Sequence, residues 1–169
     1  MSFPAEPEYW LRGPVANVPL LLQPVAHALL QSRSDVIKAL TEFPETMLWH
    51  KPAGVASVGF HLQHLTGVLD RLFTYAKGEQ LNRQQMEYLN EEGKENATIL
   101  IQKLVSNFDE QVDKSIVQLE NTPESSLLDT RAVGRKAIPS NVLGLLFHAA
   151  EHTQRHTGQL LVTVRVLST

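Results

Sequence analysis

The chain has 169 residues, of which 43% are hydrophobic and 20% charged, and its formal net charge is -3. This length suits one domain with a substantial core, and the composition excludes a disordered chain, a collagen-like fibre and a small disulfide scaffold. Cysteine is absent, which excludes disulfides, thiolate metal sites and a cysteine nucleophile. The acidic balance lacks the basic surface that phosphate-backbone binding needs, so we expect no nucleic-acid partner.

We expect no segment that directs the chain to a membrane or to export. Its first residues lack a basic start followed by an apolar segment, so we expect no secretory signal. No stretch approaches the roughly 20 apolar residues of a membrane helix. We therefore expect a soluble, cytoplasmic protein without a membrane partner.

Five prolines within the first 24 residues interrupt any long helix there. This composition predicts an extended arm over residues 1–23, and we expect Tyr9 and Trp10 to hold it against the body. The folded domain is then expected over residues 24–169.

The first two helices are marked by apolar spacing and by their boundary residues. Apolar residues recur at helical spacing from Pro24 to about residue 42, where a Phe-Pro pair ends the first helix. Ser57 is the expected N-cap of a second helix, which runs to about Lys77 and stops at Gly78.

The second half of the chain predicts two more long helices. The polar stretch 79–95 predicts one short helical turn around Gln84–Leu89, and a third helix is expected over about Asn96–Asn121. Ser140 is the expected cap of a fourth helix, which continues to about Val166. We see no alternation typical of strands, so the elements predict an all-α, four-helix bundle.

The fourth helix carries polar residues in the middle of its apolar seam. Steps of three and four residues give the seam Val142, Leu145, Ala149, His152, His156, Gln159, Thr163 and Val166. A buried imidazole without a partner costs about 1–3 kcal/mol. Because His152 and His156 lie one turn apart on one face, both rings can converge on one ion. A solvated face is the alternative, which the apolar ends of the seam disfavour.

The second helix carries His61 and His64 in the segment GFHLQHLTG. Gly67 follows His64 by one turn and leaves space beside the ring, although it costs about 1 kcal/mol of helix stability. One imidazole from this helix would complete a set of three neutral nitrogen donors with open positions for water or substrate. Such a set suits Zn²⁺, Ni²⁺, Fe²⁺ or Co²⁺.

Two familiar metal motifs do not fit these residues. His152 and His156 have the spacing of the zinc metalloprotease motif, but the glutamate that should follow the first histidine is missing. The carboxylate-bridged di-iron bundle needs paired Glu-x-x-His motifs. Glu151 directly precedes His152, so its side chain points about 100° away from that ring.

Two segments resemble the DinB-like superfamily of metal-binding four-helix bundles, namely SVGFHLQHLTGVLDRLFTYAKGE and LGLLFHAAEHTQRHTGQLL. The resemblance covers about residues 20–167 and implies a DinB-like bundle preceded by the N-terminal arm. Carried over to this sequence, the family's three metal ligands are His64, His152 and His156, followed by the pair Gly158-Gln159. Many members have an arginine directly after the last ligand, where this chain has Thr157.

The resemblance implies a metal-dependent hydrolase or thiol (S-)transferase that acts through a metal-bound water or thiolate. The expected partners are a small-molecule substrate or a low-molecular-weight thiol, and a second copy of the chain in a homodimer. Zn or Ni is the expected ion, with Fe, Mn or Co as alternatives. A non-catalytic or stress-related dimeric bundle is the second interpretation, because Glu151 and Gln159 are only weak candidates for an acid or base. In a third interpretation the bundle is metal-free and its histidines bond to each other.

Two of the remaining histidines are alternatives within the site. His61 could replace His64, and His148 could pair with His152 in place of His156. All three histidines of the last helix cannot bind one ion, because the first and the last are about 12 Å apart along the axis. Gln159 is expected to hold a water, to orient a ligand ring or to form an interhelical hydrogen bond.

Other polar residues have simpler interpretations. His27 and His50 are expected to be packing or surface residues, and Asp70 and Arg71 a surface or interhelix ion pair. Three cations precede the fourth helix, namely Arg131, Arg135 and Lys136. They predict either solvated loop charge or a cationic rim that would favour an anionic substrate.

Overall fold

The structure is a computed structural model that describes residues 6–168, and in this range the chain forms five α-helices and one hairpin. The helices are α1 (Gln23–Leu40), α2 (Val58–Ala76), α3 (Arg83–Glu91), α4 (Ile101–Glu120) and α5 (Val142–Leu167). The strands are β1 (Thr130–Val133) and β2 (Ile138–Asn141). The predicted helical class is confirmed. Within the described range no helix has the length and apolar character needed to cross a bilayer.

The four long helices share one apolar core, in which α1 and α2 each pack against both α4 and α5. The largest fully buried side chains of these helices are Leu29, Val36, Leu62, Leu65, Leu69, Phe108, Leu119, Leu146 and Leu160. Burial of each such side chain stabilises the fold by about 1.5–3 kcal/mol. The short α3 makes its main helix contacts with α2.

The residues before α1 run over the body through short 3₁₀ turns. The backbone N–H of Tyr9 donates to the side chain of Gln31 at 3.0 Å, which ties this segment to α1. Trp10 is 63% exposed and its indole N–H donates to Glu8. The expectation that Trp10 also holds the arm is therefore wrong. Residues 1–5 of the predicted arm, and residue 169 of the predicted domain, lie outside the described range.

Local hydrogen bonds explain where the middle helices begin. The Ser57 hydroxyl accepts from the N–H of Phe60, so the predicted cap of α2 is confirmed. Asn82 forms a full capping box, which supports a nine-residue α3 instead of the single predicted turn. The third predicted helix starts later than expected, at Ile101, whose N–H donates to the carboxylate of Glu45.

The hairpin is the one strand element of the described range, and sequence patterning missed it. Its antiparallel register pairs Thr130 with Asn141 and Val133 with Ile138. Four-residue strands are too short to show clear alternation, and Pro139 weakens the strand pattern further. Because β2 includes Ser140, the predicted cap of α5 is wrong. Asn141 is the cap, since its Oδ1 accepts the N–H of Gly144 at 2.7 Å.

We expect Asn141→Ala to destabilise the protein by about 1 kcal/mol, because it removes an N-cap hydrogen bond from the longest helix. Urea unfolding followed by circular dichroism measures this loss. Ser140→Ala is the matched control and should change stability by less than about half that amount. A larger loss for Ser140→Ala than for Asn141→Ala would contradict the assignment of the cap.

Candidate metal centre

The histidines of α2 and α5 face each other across an antiparallel helix contact. His64 Nε2 lies 2.9 Å from His152 Nε2, and His61 Nδ1 lies 3.2 Å from His156 Nδ1. A lower residue number on α2 thus pairs with a higher one on α5, which shows the antiparallel direction. One ring nitrogen each of His64, His152 and His156 lies within 4.8 Å of the other two. The structure therefore brings together the three histidines that the sequence singled out.

His152 and His156 lie at the edge of the buried stripe of α5. Its buried residues are Val142, Leu145, Leu146, Ala149, Ala150, Thr153, Thr157, Leu160, Thr163 and Val164. Gln159 and Val166 are exposed, so the predicted seam is wrong at these two positions. A seam drawn in steps of three and four drifts around a helix of 3.6 residues per turn. The half-buried imidazoles therefore face α2 while remaining close to the surface.

Glu92 holds the second nitrogen of His64. Its Oε2 lies 2.7 Å from His64 Nδ1, and its Oε1 accepts a hydrogen bond from Arg71 Nη1 at 2.5 Å. The Glu92 side chain is only 6% exposed. The expected ion pair between Asp70 and Arg71 is therefore wrong, because the guanidinium of Arg71 binds Glu92.

Gly67 provides the space that this carboxylate occupies. A Cβ atom at this position would lie within 3.0 Å of the side chains of Glu92, Arg71 and Tyr88. The predicted space beside His64 is thus present, and it is filled by the Glu92–Arg71 pair. Sequence reasoning missed Glu92, which follows α3 in a polar stretch. The available signal was the spacing of His64, Gly67 and Arg71, which places them on one face of a mostly apolar helix.

His61 lies behind His156 and outside the three-histidine cluster. It is 3% exposed. Burial, together with the nearby His64, lowers the pKa of both His61 and His156 to about 4. Burial also lowers the pKa of His152, with His64 as the next cause. These imidazoles are therefore neutral at physiological pH, which is the form that binds a metal. The group of converging ring nitrogens contains His64 and not His61. The structure therefore favours His64 over His61 as the ligand from α2.

The three-histidine cluster fits a divalent transition metal. Two nitrogens bound to one ion at about 2.1 Å lie about 3.0–3.4 Å apart, close to the 2.9 Å between His64 and His152. With its Nδ1 engaged by Glu92, His64 presents Nε2 to the cluster, as metal-binding histidines commonly do. Three imidazole nitrogens are a donor set that Zn²⁺, Ni²⁺, Co²⁺ and Fe²⁺ accept.

His148 has a different partner. Its Nδ1 lies 2.7 Å from Glu151, which also accepts a hydrogen bond from Arg155 at 2.7 Å. The ligand atoms of His148, Glu151 and His152 lie within 4.8 Å of one another as well. Because His148 and Glu151 already bind each other at the surface, the geometry favours His156 over His148 as the second ligand from α5.

The predicted cationic rim does not lie at the histidines. Arg131 donates to the carbonyl of Ala76 at the far end of α2, about 18 Å along the axis from His64. It borders a groove of about 790 Å³ between α2 and α4 that no histidine lines. Arg135 and Lys136 lie in the hairpin turn beyond it. The rim hypothesis is therefore wrong.

A second groove, of about 530 Å³, adjoins the histidine cluster at His61. Its lining residues are Val55, Ala56, His61, Arg155, Gly158, Gln159, Val162 and Thr163. Arg155 is the one cation among these lining residues, and it was not considered from sequence. The other histidines have the expected roles, because His27 bonds to the carbonyl of Gly13 and His50 is exposed.

Comparison with known proteins agrees with this architecture. The family model of the DinB superfamily matches residues 28–160, a range that contains all three clustered histidines. The chain therefore belongs to the DinB superfamily. A crystal structure of a protein from Streptococcus pneumoniae has the same fold, with a TM-score of 0.63 and 15% sequence identity over 85% of this chain and 88% of that chain. The curated proteins contain no sequence match.

We expect the metal-free protein to lose stability as the pH falls from 7 to 5. The pKa of His61 and His156 is about 4 in the folded chain, against the ordinary value of 6.5 that applies to the unfolded chain. Between these values the unfolded chain binds more protons, so stability present above pH 6.5 is lost on acidification. Allowing for solvent screening, we expect a loss of roughly 1–3 kcal/mol by urea unfolding.

His50→Gln is the control for this pH dependence, because it removes an exposed histidine. It should show the same loss as the unmodified protein, whereas His156→Gln should show a smaller one. Equal stability of the metal-free protein at pH 7 and pH 5 would contradict the proposed burial of neutral imidazoles.

Proposed function

We propose that this protein binds one divalent transition metal through His64, His152 and His156, and that it catalyses thiol transfer or hydrolysis on a small-molecule substrate. The supporting observation is the convergence of the three imidazoles, with Glu92 holding the far nitrogen of one of them. A divalent ion bound there supplies a Lewis acid that lowers the pKa of a thiol or water that binds to it.

We place thiol transfer ahead of hydrolysis because of the carboxylates near the cluster. Glu92 binds His64 and Arg71, and Glu151 binds His148 and Arg155. Neither is a free general base. A thiol has an ordinary pKa of about 8.5, whereas that of water is about 15.7. A thiol therefore needs less activation and can react without a base from the protein.

The groove beside His61 is the proposed binding site for the substrate or for the thiol. Val55 and Val162 provide apolar walls, and Arg155 and Gln159 provide polar groups at its edge. A ligand in this groove would contact His61, whose Nδ1 lies 3.2 Å from Nδ1 of His156, and would therefore lie beside the cluster. Pockets with apolar walls and few polar groups are typical of small-molecule sites.

Further parts of the proposal follow the family. We propose that the four long helices form a DinB-type bundle, with the residues before α1 as its arm. We also propose Zn²⁺ or Ni²⁺ as the ion, a homodimer as the assembled form and the cytoplasm as the location. Light scattering of the purified protein measures the oligomeric state directly.

We expect purified protein loaded with Zn²⁺ or Ni²⁺ to retain close to one ion per chain. His64→Ala, His152→Ala and His156→Ala should each abolish this retention, because each removes one of three donors. Elemental analysis after exhaustive buffer exchange provides the measurement. His27→Ala and His50→Ala are the controls and should retain the ion. Equal metal content in the protein and all five variants would contradict the site.

An activity assay then separates the possible functions. Low-molecular-weight thiols are tested with electrophiles, and esters and amides without thiol, each with and without Ni²⁺ or Zn²⁺. Metal-dependent loss of thiol that disappears in His152→Ala is the expected result. Metal-dependent hydrolysis without thiol would assign the hydrolase, and stoichiometric binding without either reaction would assign the non-catalytic alternative.

A further inference from the structure

We infer that Glu92 is a positioning residue that fixes the tautomer and the orientation of His64, and thereby sets the affinity of the metal site. This inference rests on the proposed function. Glu92 is not one of the three proposed metal ligands. Glu92 lies directly after α3, in a segment that supplies none of the proposed metal ligands, and its carboxylate reaches the ring of His64 from there.

The first argument is the direction of the hydrogen bonds. Glu92 Oε2 lies 2.7 Å from His64 Nδ1, and because a carboxylate accepts, Nδ1 is the donor and Nε2 is the nitrogen left for a metal. Nε2 is the atom that points to His152 at 2.9 Å. Without the carboxylate, the ring would be free to place its proton on Nε2 and lose its donor atom. An acceptor at Nδ1 also raises the basicity of the ligating nitrogen.

The second argument is that the carboxylate is itself held in place. Arg71 Nη1 donates to Glu92 Oε1 at 2.5 Å, and the side chains of Arg71 and Glu92 are 11% and 6% exposed. A glycine at position 67 gives both groups room on the surface of α2. A buried ion pair contributes little net stability compared with apolar residues of the same volume. The pair is thus better explained by its effect on His64 than by a contribution to folding.

The third argument is that α3 and the loop after it are anchored around His64. The N–H of Gly93 donates to Gln63 Oε1 at 2.7 Å, and the hydroxyl of Tyr88 donates to the carbonyl of Gln63 at 3.1 Å. The ring of Phe60 stacks on His64 at 5.3 Å between centroids, with an interplanar angle of 11°. A Cβ atom at Gly93 would lie 2.9 Å from Phe60, so the loop and the aromatic ring are in close contact. The imidazole is therefore held at its edge by Glu92 and at its face by Phe60.

The direct test replaces the carboxylate and measures metal affinity. We expect Glu92→Ala to weaken Co²⁺ or Zn²⁺ binding about 10- to 100-fold, the usual effect of removing such a partner. Glu92→Gln keeps an acceptor for the Nδ1–H and should restore part of the affinity. The visible spectrum of bound Co²⁺ should change in Glu92→Ala, because the geometry of one ligand changes. Unchanged affinity and spectrum in Glu92→Ala would overturn the inference.

A pair of glycine substitutions tests the same point without altering Glu92. In Gly67→Ala the new Cβ would displace Glu92 and Arg71, so metal affinity should fall as in Glu92→Ala. In Gly158→Ala, on the other ligand-bearing helix, the new Cβ has no neighbour within 4 Å. Gly158 lines the groove proposed for the substrate, so only the metal is titrated in this comparison, and its affinity should not change. Urea unfolding of both variants confirms that each is folded before titration. Equal metal affinities of the two variants would contradict the positioning role of Glu92.

The tautomer of His64 provides a readout that does not depend on a metal. In the metal-free protein, nitrogen-15 NMR of the imidazoles should show His64 protonated at Nδ1, and Glu92→Ala should shift the proton toward Nε2. The same tautomer in both proteins would overturn the inference. If the unmodified protein binds no metal but the tautomer shifts as expected, the proposed function and the effect on metal affinity both fail, and only the control of the His64 tautomer by Glu92 stands.

Discussion

The antiparallel packing of α2 against α5 places His64 opposite His152 and His61 opposite His156, at 2.9 and 3.2 Å between ring nitrogens. Apolar residues are buried on both sides of this layer, for instance Leu65 and Ala149 on one side and Val58 and Leu160 on the other, and their packing holds the register of the two helices. A slip of one turn would move the helices by about 5.4 Å and separate the imidazoles. The chemistry of the site therefore depends on the ordinary apolar packing around it.

The groups at this layer cost stability. His152 Nδ1 is buried without a hydrogen-bond partner in the described part of the chain, which costs about 1–3 kcal/mol. Gly67 weakens the middle of α2, and the buried Arg71–Glu92 pair contributes little net stability. Protein stability generally favours replacing such groups by apolar ones. Their concentration around three converging imidazoles supports the proposed metal site.

Periodicity and spacing were sufficient for the parts of this molecule that depend on local structure. The long helices follow from apolar spacing, and the i, i+4 pair His152 and His156 follows from its position on one helix face. The choice of His64 came from the family resemblance and is consistent with the distances. Ser57 could be recognised because a cap acts within its own first turn.

The remaining features depend on contacts that no local pattern contains. Glu92 lies 28 residues after His64, and only the return of the loop after α3 onto α2 joins them. The hairpin depends on pairing between two strands too short to show alternation, and its presence moves the cap of α5 from Ser140 to Asn141. The cationic-rim alternative failed because sequence order does not show which end of a neighbouring helix a loop reaches.

Anomalous X-ray scattering from crystals grown with Zn²⁺ or Ni²⁺ tests the metal site most directly. We predict one anomalous peak per chain, within about 2.0–2.3 Å of a ring nitrogen of His64, of His152 and of His156. A peak between His148 and Glu151 with none at the three-histidine cluster, or fully loaded crystals without a peak at either place, would contradict the assignment.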